Sequence, residues 1–443
     1  MTNDFRQINT RMLGDLHQVI VLTSLLSLLI GNRSAASDDW SSFQDGGRVQ
    51  RTGESGHNDE GEYELEWTTD VEGYGQSSPV AWNGALYVTS VSGENKETLR
   101  VSAFTLETGK QRWKHEFPNA TPQESSNYVS KAAPTPVVDE AGVIAFFEGG
   151  NVIALSHEGE VRWQRDLVAD YGAIDARHGI GSSLEQSKDS VFVWVERSTE
   201  PYILAVDKST GENIWKVEGL GVTSWSSPRL VDVESAQHLV FSGSGMLVGI
   251  DPGTGDRLWQ FDEISGNTTP TPIPVGNGQF LIGATDGRGE SESGRAAQSN
   301  GIVQIARNSN GDWQANYLWQ SKRATSSFGS PIMAEGRCFF INRTGVMYCV
   351  DASSGEEMYA ERVGGSVWAT PIAMNQRIFL PLKDGKLVIG GIGDSNEMIT
   401  ELEIPTASES GDTENGLTIY AAILAGDRVI LRTGEKLFSV KAG

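Results

Sequence analysis

The chain has 443 residues, 51 of them glycine and only two cysteine, and carries a formal net charge of −23. So acidic a surface repels phosphate backbones, which excludes nucleic acid as a partner. Abundant glycine without long apolar helical patterns points to many short strands.

In chain order, Arg6 and Arg11 precede an apolar run from Val19 to Ile30, and the small residues Ser34, Ala35 and Ala36 follow. The run is roughly 12 residues, shorter than the ~20 that span a bilayer as a helix. Basic, then apolar, then small is the order of a secretory signal peptide over 1–36, with cleavage after Ala36. An uncleaved anchor helix is the alternative. No cysteine stands at the cleavage point, so chemistry excludes lipid attachment there. The expected location is periplasmic or secreted, with no stable membrane insertion after cleavage. Residues 37–62 are polar and rich in Gly, Asp and Glu, and are expected to form a flexible segment that Trp40 and Phe43 dock locally.

From residue 63 onward the chain repeats itself. A unit ends in a strand, a turn closing on glycine, and an aromatic four residues after that glycine. It runs Ala103 to Trp113, Ala154 to Trp163, Ala205 to Trp215 and Gly249 to Trp259. A stretched copy ends at Trp319, another copy ends with Tyr359, and a degenerate one lies near Gly391 to Leu402. Each unit also opens on a mark: Ser78-Pro79, Thr135-Pro136, Ser227-Pro228, Thr271-Pro272, Ser330-Pro331 and Thr370-Pro371, with Ser182-Ser183 in the same slot. Proline suits the first residue of a strand, where its missing N–H costs little.

One unit read in detail gives the sheet. Strands are expected at Ser330–Ala334, Arg337–Ile341 and Val346–Asp351, with a fourth running through Tyr359, and Gly, Asn and Ser turns between them. Each unit is thus a four-stranded antiparallel meander that buries both faces only by stacking on its neighbours in a ring. Trp113, Trp163, Trp215, Trp259, Trp319 and Tyr359 recur once per unit, so they read as packing between blades. The tail supplies three strands: Thr418 to Ile423, Arg428 to Leu431 and Lys436 to Val440. The fourth is expected from Tyr63–Trp67, which would lock the ring and remove both sheet edges. The expectation is an all-β, eight-bladed β-propeller over 63–443, a monomer. Seven blades remain if the tail packs irregularly.

The unit Ala-x-Asp-x-x-Thr-Gly-x-x-x-Trp is similar to that of the pyrroloquinoline quinone (PQQ) repeat family, from about Trp67 to the last residues. The resemblance implies the propeller and leaves two branches of function. Quinoprotein alcohol dehydrogenases hold PQQ and Ca²⁺ under an adjacent Cys-Cys disulfide; Cys338 and Cys349 are not adjacent. The other branch resembles the propeller subunit of the outer-membrane β-barrel assembly machinery, a non-catalytic scaffold. Length, blade count and export suit the second branch better, although its lipid-anchor cysteine is missing. The expected function is therefore an exported scaffold for protein–protein interaction, possible in envelope or outer-membrane protein assembly, without catalytic residues, metal or cofactor. A diverged quinoprotein-like oxidoreductase with PQQ and calcium, and a carbohydrate-binding propeller, are the alternatives.

Three sets of residues stand out from the repeat. Cys338 and Cys349 would face each other if Ile341 pairs with Val346; a cross-strand disulfide and two buried thiols are both open. Asp175, Arg177 and His178 precede the first strand of blade three, at one mouth of the central channel, where they make a polar loop or in principle an acid–base group. Trp225, Phe328 and Trp368 each stand three residues before the proline of a Ser/Thr-Pro mark, with Arg177, Arg229 and Arg323 expected nearby. These aromatics pack between blade entrances or form a rim for a protein partner or extended peptide.

Overall fold

The computed structural model describes residues 39–51, 62–124, 129–176, 178–222, 224–266, 269–285, 293–393, 398–405 and 418–442. It is an eight-bladed propeller of four-stranded antiparallel sheets. Blades 1 to 7 occupy 80–118, 137–166, 185–218, 229–261, 273–320, 332–362 and 372–403. Blade 8 combines Ala421–Ala425, Arg428–Arg432 and Lys436–Ala442 with Tyr63–Asp70 as its outermost strand, antiparallel to Lys436–Ala442. The ring thus closes by an N-terminal strand, and the seven-bladed alternative falls. The expected signal peptide over 1–36 lies outside the described residues.

Blade 6 shows how the sequence makes each sheet. Its strands are Ile332–Ala334, Arg337–Ile341, Val346–Asp351 and Glu357–Arg362. The side chains alternate between its two buried faces, and the faces pack on blades 5 and 7. At its last turn the Asp351 carboxylate accepts from the backbone N–H of Ser353 and Ser354 at 3.1 and 2.9 Å, leaving Gly355 to take φ +74°.

That glycine explains the recurring tryptophan. The Trp319 ring of blade 5 lies so close that a Cβ on Gly355 would sit 2.7 Å from it. Its indole Nε1–H donates to Ala352 O of the same turn at 2.8 Å. The same lock joins Trp67 to Leu106 O and Gly109, Trp113 to His157 O and Gly159, Trp163 to Lys208 O and Gly211, and Trp215 to Pro252 O and Gly255. The blade aromatics are therefore packing between neighbours, as their recurrence implies. Trp259 and Tyr359 hold the register without donating to the next blade's turn.

The Ser/Thr-Pro mark has a second role beside strand entry. The backbone N–H of Ser78 donates to Thr135 Oγ1 of the next blade at 2.9 Å, and that of Thr135 to Ser183 Oγ at 3.1 Å. The series continues from Ser183 to Ser227 Oγ, Ser227 to Thr271 Oγ1, Thr271 to Ser330 Oγ and Ser330 to Thr370 Oγ1. A belt of hydroxyls thus ties six consecutive joints around the channel. Between blades 8 and 1 the buried Arg432 takes over, donating to Ser77 O at 3.0 Å and to Ser77 Oγ and Thr89 O at 2.5 Å.

Two expectations are corrected. The hairpin of blade 6 pairs Ile341 with Met347, not Val346, so Cys338 lies opposite Val350 and Cys349 opposite Phe339. A one-residue slip puts neighbouring positions on opposite faces, and both cysteines are buried with no disulfide between them. The second correction concerns 37–62. Residues Asp39 to Arg51 are largely buried in the channel rather than flexible; 52–61 lie outside the described residues. Trp40 bridges Ala81 of blade 1, Ser41 O accepts from Val138 N of blade 2, and Gln50–Arg51 adds a parallel strand to blade 7.

Candidate functional site

Because strands alternate in direction, two sets of loops share one end of the ring: those leading from a blade's outermost strand to the next blade's innermost strand, and those joining second to third strands. The first set carries Tyr74, Lys131, Asp175, His178, Trp225, Phe328, Trp368 and Tyr420; the second carries Arg343 and Lys383. All therefore lie at one mouth of the channel.

The aromatics there pair with cations. Phe328 is 39% exposed and meets Trp368 edge-on at 5.1 Å between centroids. The Arg343 guanidinium lies 5.8 Å from the Phe328 centroid, and Lys383 Nζ 4.3 Å from that of Trp368. Across the mouth, Lys131 Nζ lies 4.9 Å from the ring of Tyr74, whose hydroxyl is bonded to that of Tyr420 at 2.7 Å. Burial first, and then the Tyr420 neighbour, push the Tyr74 hydroxyl's pKa upward. Such contacts place positive charge over the negative face of a ring. Three rings of this mouth, Tyr74, Phe328 and Trp368, thus each face one basic side chain.

Trp225 and His178 form the third aromatic group, 5.7 Å apart and tilted. They line a cleft of about 240 Å³ together with Asp175, Arg197, Ser198 and Pro201. Asp175 is exposed and accepts from Ser198 Oγ at 3.1 Å. Among the described contacts, no hydrogen bond joins Asp175 to His178. Arg177 lies outside the described residues.

Of the two other basic residues expected near the rim, Arg229 is elsewhere, while Arg323 stands in the same loop as Phe328. Arg229 is fully buried inside the channel, donating to Glu185 Oε2 at 3.0 Å, Pro272 O at 3.2 Å, Phe43 O at 3.0 Å and Gln44 Oε1 at 2.9 Å. Burial raises the Glu185 carboxyl's pKa while the Arg229 charge pulls it down, and burial lowers that of Arg229. Arg323 is exposed and paired with Glu357. Register places Arg229 on its strand but does not fix whether the side chain points into the channel.

The floor beneath the rim is the Asp39–Arg51 segment. It enters from the opposite mouth, where Asn83 N donates to Asp39 Oδ1 and Asn375 N to Arg51 O, both at turns between first and second strands. Its apex, Gln44, reaches the hydroxyl belt and donates to Ser330 Oγ at 2.9 Å and Thr370 Oγ1 at 2.7 Å. The apex turns tightly through positive φ at Gln44, Asp45 and Gly46. Asp45 stabilises the turn by accepting from Ser41 N at 3.0 Å and pairing with Arg48 and Arg51. The channel is thus plugged to the level of the belt. Sequence reasoning found the rim aromatics but missed Lys131, Arg343, Lys383 and the two tyrosines. The signal available was their position in loops of the same two classes.

Comparison with known proteins places these features in context. A family model described as outer membrane protein assembly factor BamB matches residues 59–178, 173–390 and 299–442. BamB of Escherichia coli (strain K12) is 30% identical over 221 residues, 48% of each chain; the chain thus spans about half the length of the curated relatives it matches. Among solved structures, BamB from Moraxella catarrhalis superposes with a TM-score of 0.59 at 12% identity, covering 86% of this chain and all of that one. A europium-containing methanol dehydrogenase superposes at 0.63 with 11% identity, covering 91% of this chain and 98% of that one. At such identities the structural likeness shows the fold alone.

Proposed function

The chain belongs to the family described as outer membrane protein assembly factor BamB, and from that premise we propose that it is an exported, non-catalytic scaffold whose aromatic–cation rim captures a protein partner in envelope assembly. One observation carries the reading: the channel mouth presents exposed and half-buried rings, three of which (Tyr74, Phe328 and Trp368) face a lysine or arginine, above a channel that the chain's own segment enters. Buried aromatic anchors ringed by polar groups are the usual composition of a protein-binding hot spot. The partner is a folded protein or an extended segment of one. Export from the cytoplasm follows from the basic–apolar–small order of residues 1–36. No described helix is long and apolar enough to cross a membrane.

The family's fold also serves quinoproteins, so the fit of that cofactor matters. Two observations support the reading without PQQ and calcium. Gln44 and the Arg229–Glu185 pair fill the channel centre. Among the described residues, no group of three or more His, Cys, Asp or Glu converges as a metal site, and no adjacent cysteines exist to cover a quinone.

The test is a double substitution, Trp225→Ala with Trp368→Ala, in the full chain. Crosslinking capture from an envelope fraction should fall by tenfold or more while the unfolding midpoint stays near that of the parent. Unchanged capture by a folded variant would remove the rim from the function. Stoichiometric uptake of PQQ with Ca²⁺, followed by absorbance, would favour the cofactor reading instead.

A further inference from the structure

The joint between blades 4 and 5 departs from the tryptophan lock found elsewhere. The answering turn of blade 5 ends at Gly311, where an added Cβ would meet nothing within 4 Å, so no ring docks there. Trp259 is nevertheless buried, in a cluster with Phe280, Val303 and Ile305 of blade 5. Its Nε1–H donates not to the next blade but to His238 Nδ1 of its own blade, at 3.0 Å. His238 is 1% exposed on the second strand of blade 4, opposite Val231. Trp313 of blade 5 meets the imidazole edge-on at 4.6 Å, and the Arg307 guanidinium lies 3.8 Å from the Trp313 centroid. One imidazole therefore connects the tryptophans of both blades.

An indole N–H can only donate, so His238 Nδ1 must carry no proton; a doubly protonated imidazole has none to spare for this role. We infer that the blade 4–5 joint is an acid-responsive seam: protonating His238 sets two N–H donors against each other at 3.0 Å and releases Trp259 from between the blades. The charged groups around the imidazole are Asp251 just after the third strand, Glu234 at the first turn of blade 4, and Arg307 from blade 5, which pairs with Glu234 at 3.6 Å. Burial is the largest influence and lowers the histidine's pKa; Asp251 and Glu234 oppose it, and Arg307 adds to it. The sign follows from linkage. A histidine whose folded pKa lies below its unfolded value leaves the fold at full stability above the unfolded pKa of ~6.5, and stability falls as pH drops below it. The seam would then open locally, far from the closing strand of blade 8.

The experiment uses the full chain at pH 7.5 and pH 5. Relative to the intrinsic exchange rate at each pH, amide protection should fall at pH 5 at Gly278 and Ile305, whose N–H groups donate to Asp232 O and Gly278 O at this seam, and not at Val138 in blade 2. The indole N–H resonance of Trp259, assigned with Trp259→Phe, should shift with the midpoint of the His238 ring. His238→Asn offers a non-titrating acceptor near Nδ1 and should abolish both responses while folding at pH 7.5. Equal protection at the two pH values, or a response that survives in His238→Asn, overturns the inference. Should that variant not fold, the parent's protection pattern alone decides: a loss of protection confined to the seam sustains the inference, and a uniform or absent loss overturns it.

Discussion

Replacing Trp215 by alanine tests the tryptophan lock in full. The ring is 9% exposed, lies 5.9 Å from Phe192, and donates to Pro252 O at 3.0 Å. Burying an aromatic of this size contributes about 4–6 kcal/mol gross at ~25 cal/mol/Å² over roughly 150–250 Å². Alanine keeps part of that area, and the hydrogen bond adds about 1 kcal/mol. The net loss should be about 3–5 kcal/mol, the range for buried Trp→Ala changes. Chemical denaturation should show the midpoint falling, with partner capture at pH 7.5 and low denaturant unchanged. Gly255→Ala supplies the internal control. Its φ of +81° and a Cβ 2.9 Å from Val217 and 3.0 Å from Trp215 make it costly alone. With the ring gone, only the backbone and Val217 terms remain, so the double variant should be less destabilised than the sum, by about 0.5–3 kcal/mol. An unchanged midpoint for Trp215→Ala, or strict additivity with Gly255→Ala, would refute the lock.

Three further outcomes are expected. Gln44→Ala should leave Arg229, Ser330 and Thr370 each short of a partner, cost about 1–3 kcal/mol, and expose 39–51 to limited proteolysis without altering rim capture. Lys96→Met strands the Glu148 carboxylate, 3% exposed and paired with Lys96 at 3.0 Å, and should destabilise by about 3–5 kcal/mol in thermal unfolding. Cys338 and Cys349 should resist alkylation in the folded protein and react fully in denaturant, with no mass change on reduction; burial pushes the Cys338 thiol's pKa up and keeps it protonated.

The ring was legible because its signals recur. A glycine turn followed four residues later by an aromatic appears at Trp113, Trp163, Trp215 and Trp259, and periodicity separates such packing from chemistry. The closing strand Tyr63–Asp70 was inferred from a missing fourth strand and pairs as expected. What could not be read depends on contacts without period. The plug is polar: Gln44 is held by hydrogen bonds to residues scattered from blade 4 to the entrance of blade 7, and Asp45 by partners within the plug, rather than by apolar character. The cysteine register failed over one residue, because a loop of four or five residues between Ile341 and Met347 suits the same turn sequence. For the rim, register found Trp225, Phe328 and Trp368 but misplaced Arg229, whose direction is set by a carboxylate 44 residues away in sequence, Glu185.

The plug and the closing strand also order the events of folding. Gln44 is made early, yet its acceptors Ser330 and Thr370 lie 286 and 326 residues further along. Glu66 waits still longer for Arg428, 362 residues on. Contacts of such range carry the largest loop-closure cost and form late. The first blades must therefore assemble around an empty axis, and an unfilled channel with two open sheet edges persists until the final hairpin arrives. That interval is when the chain most needs protection from pairing with its neighbours.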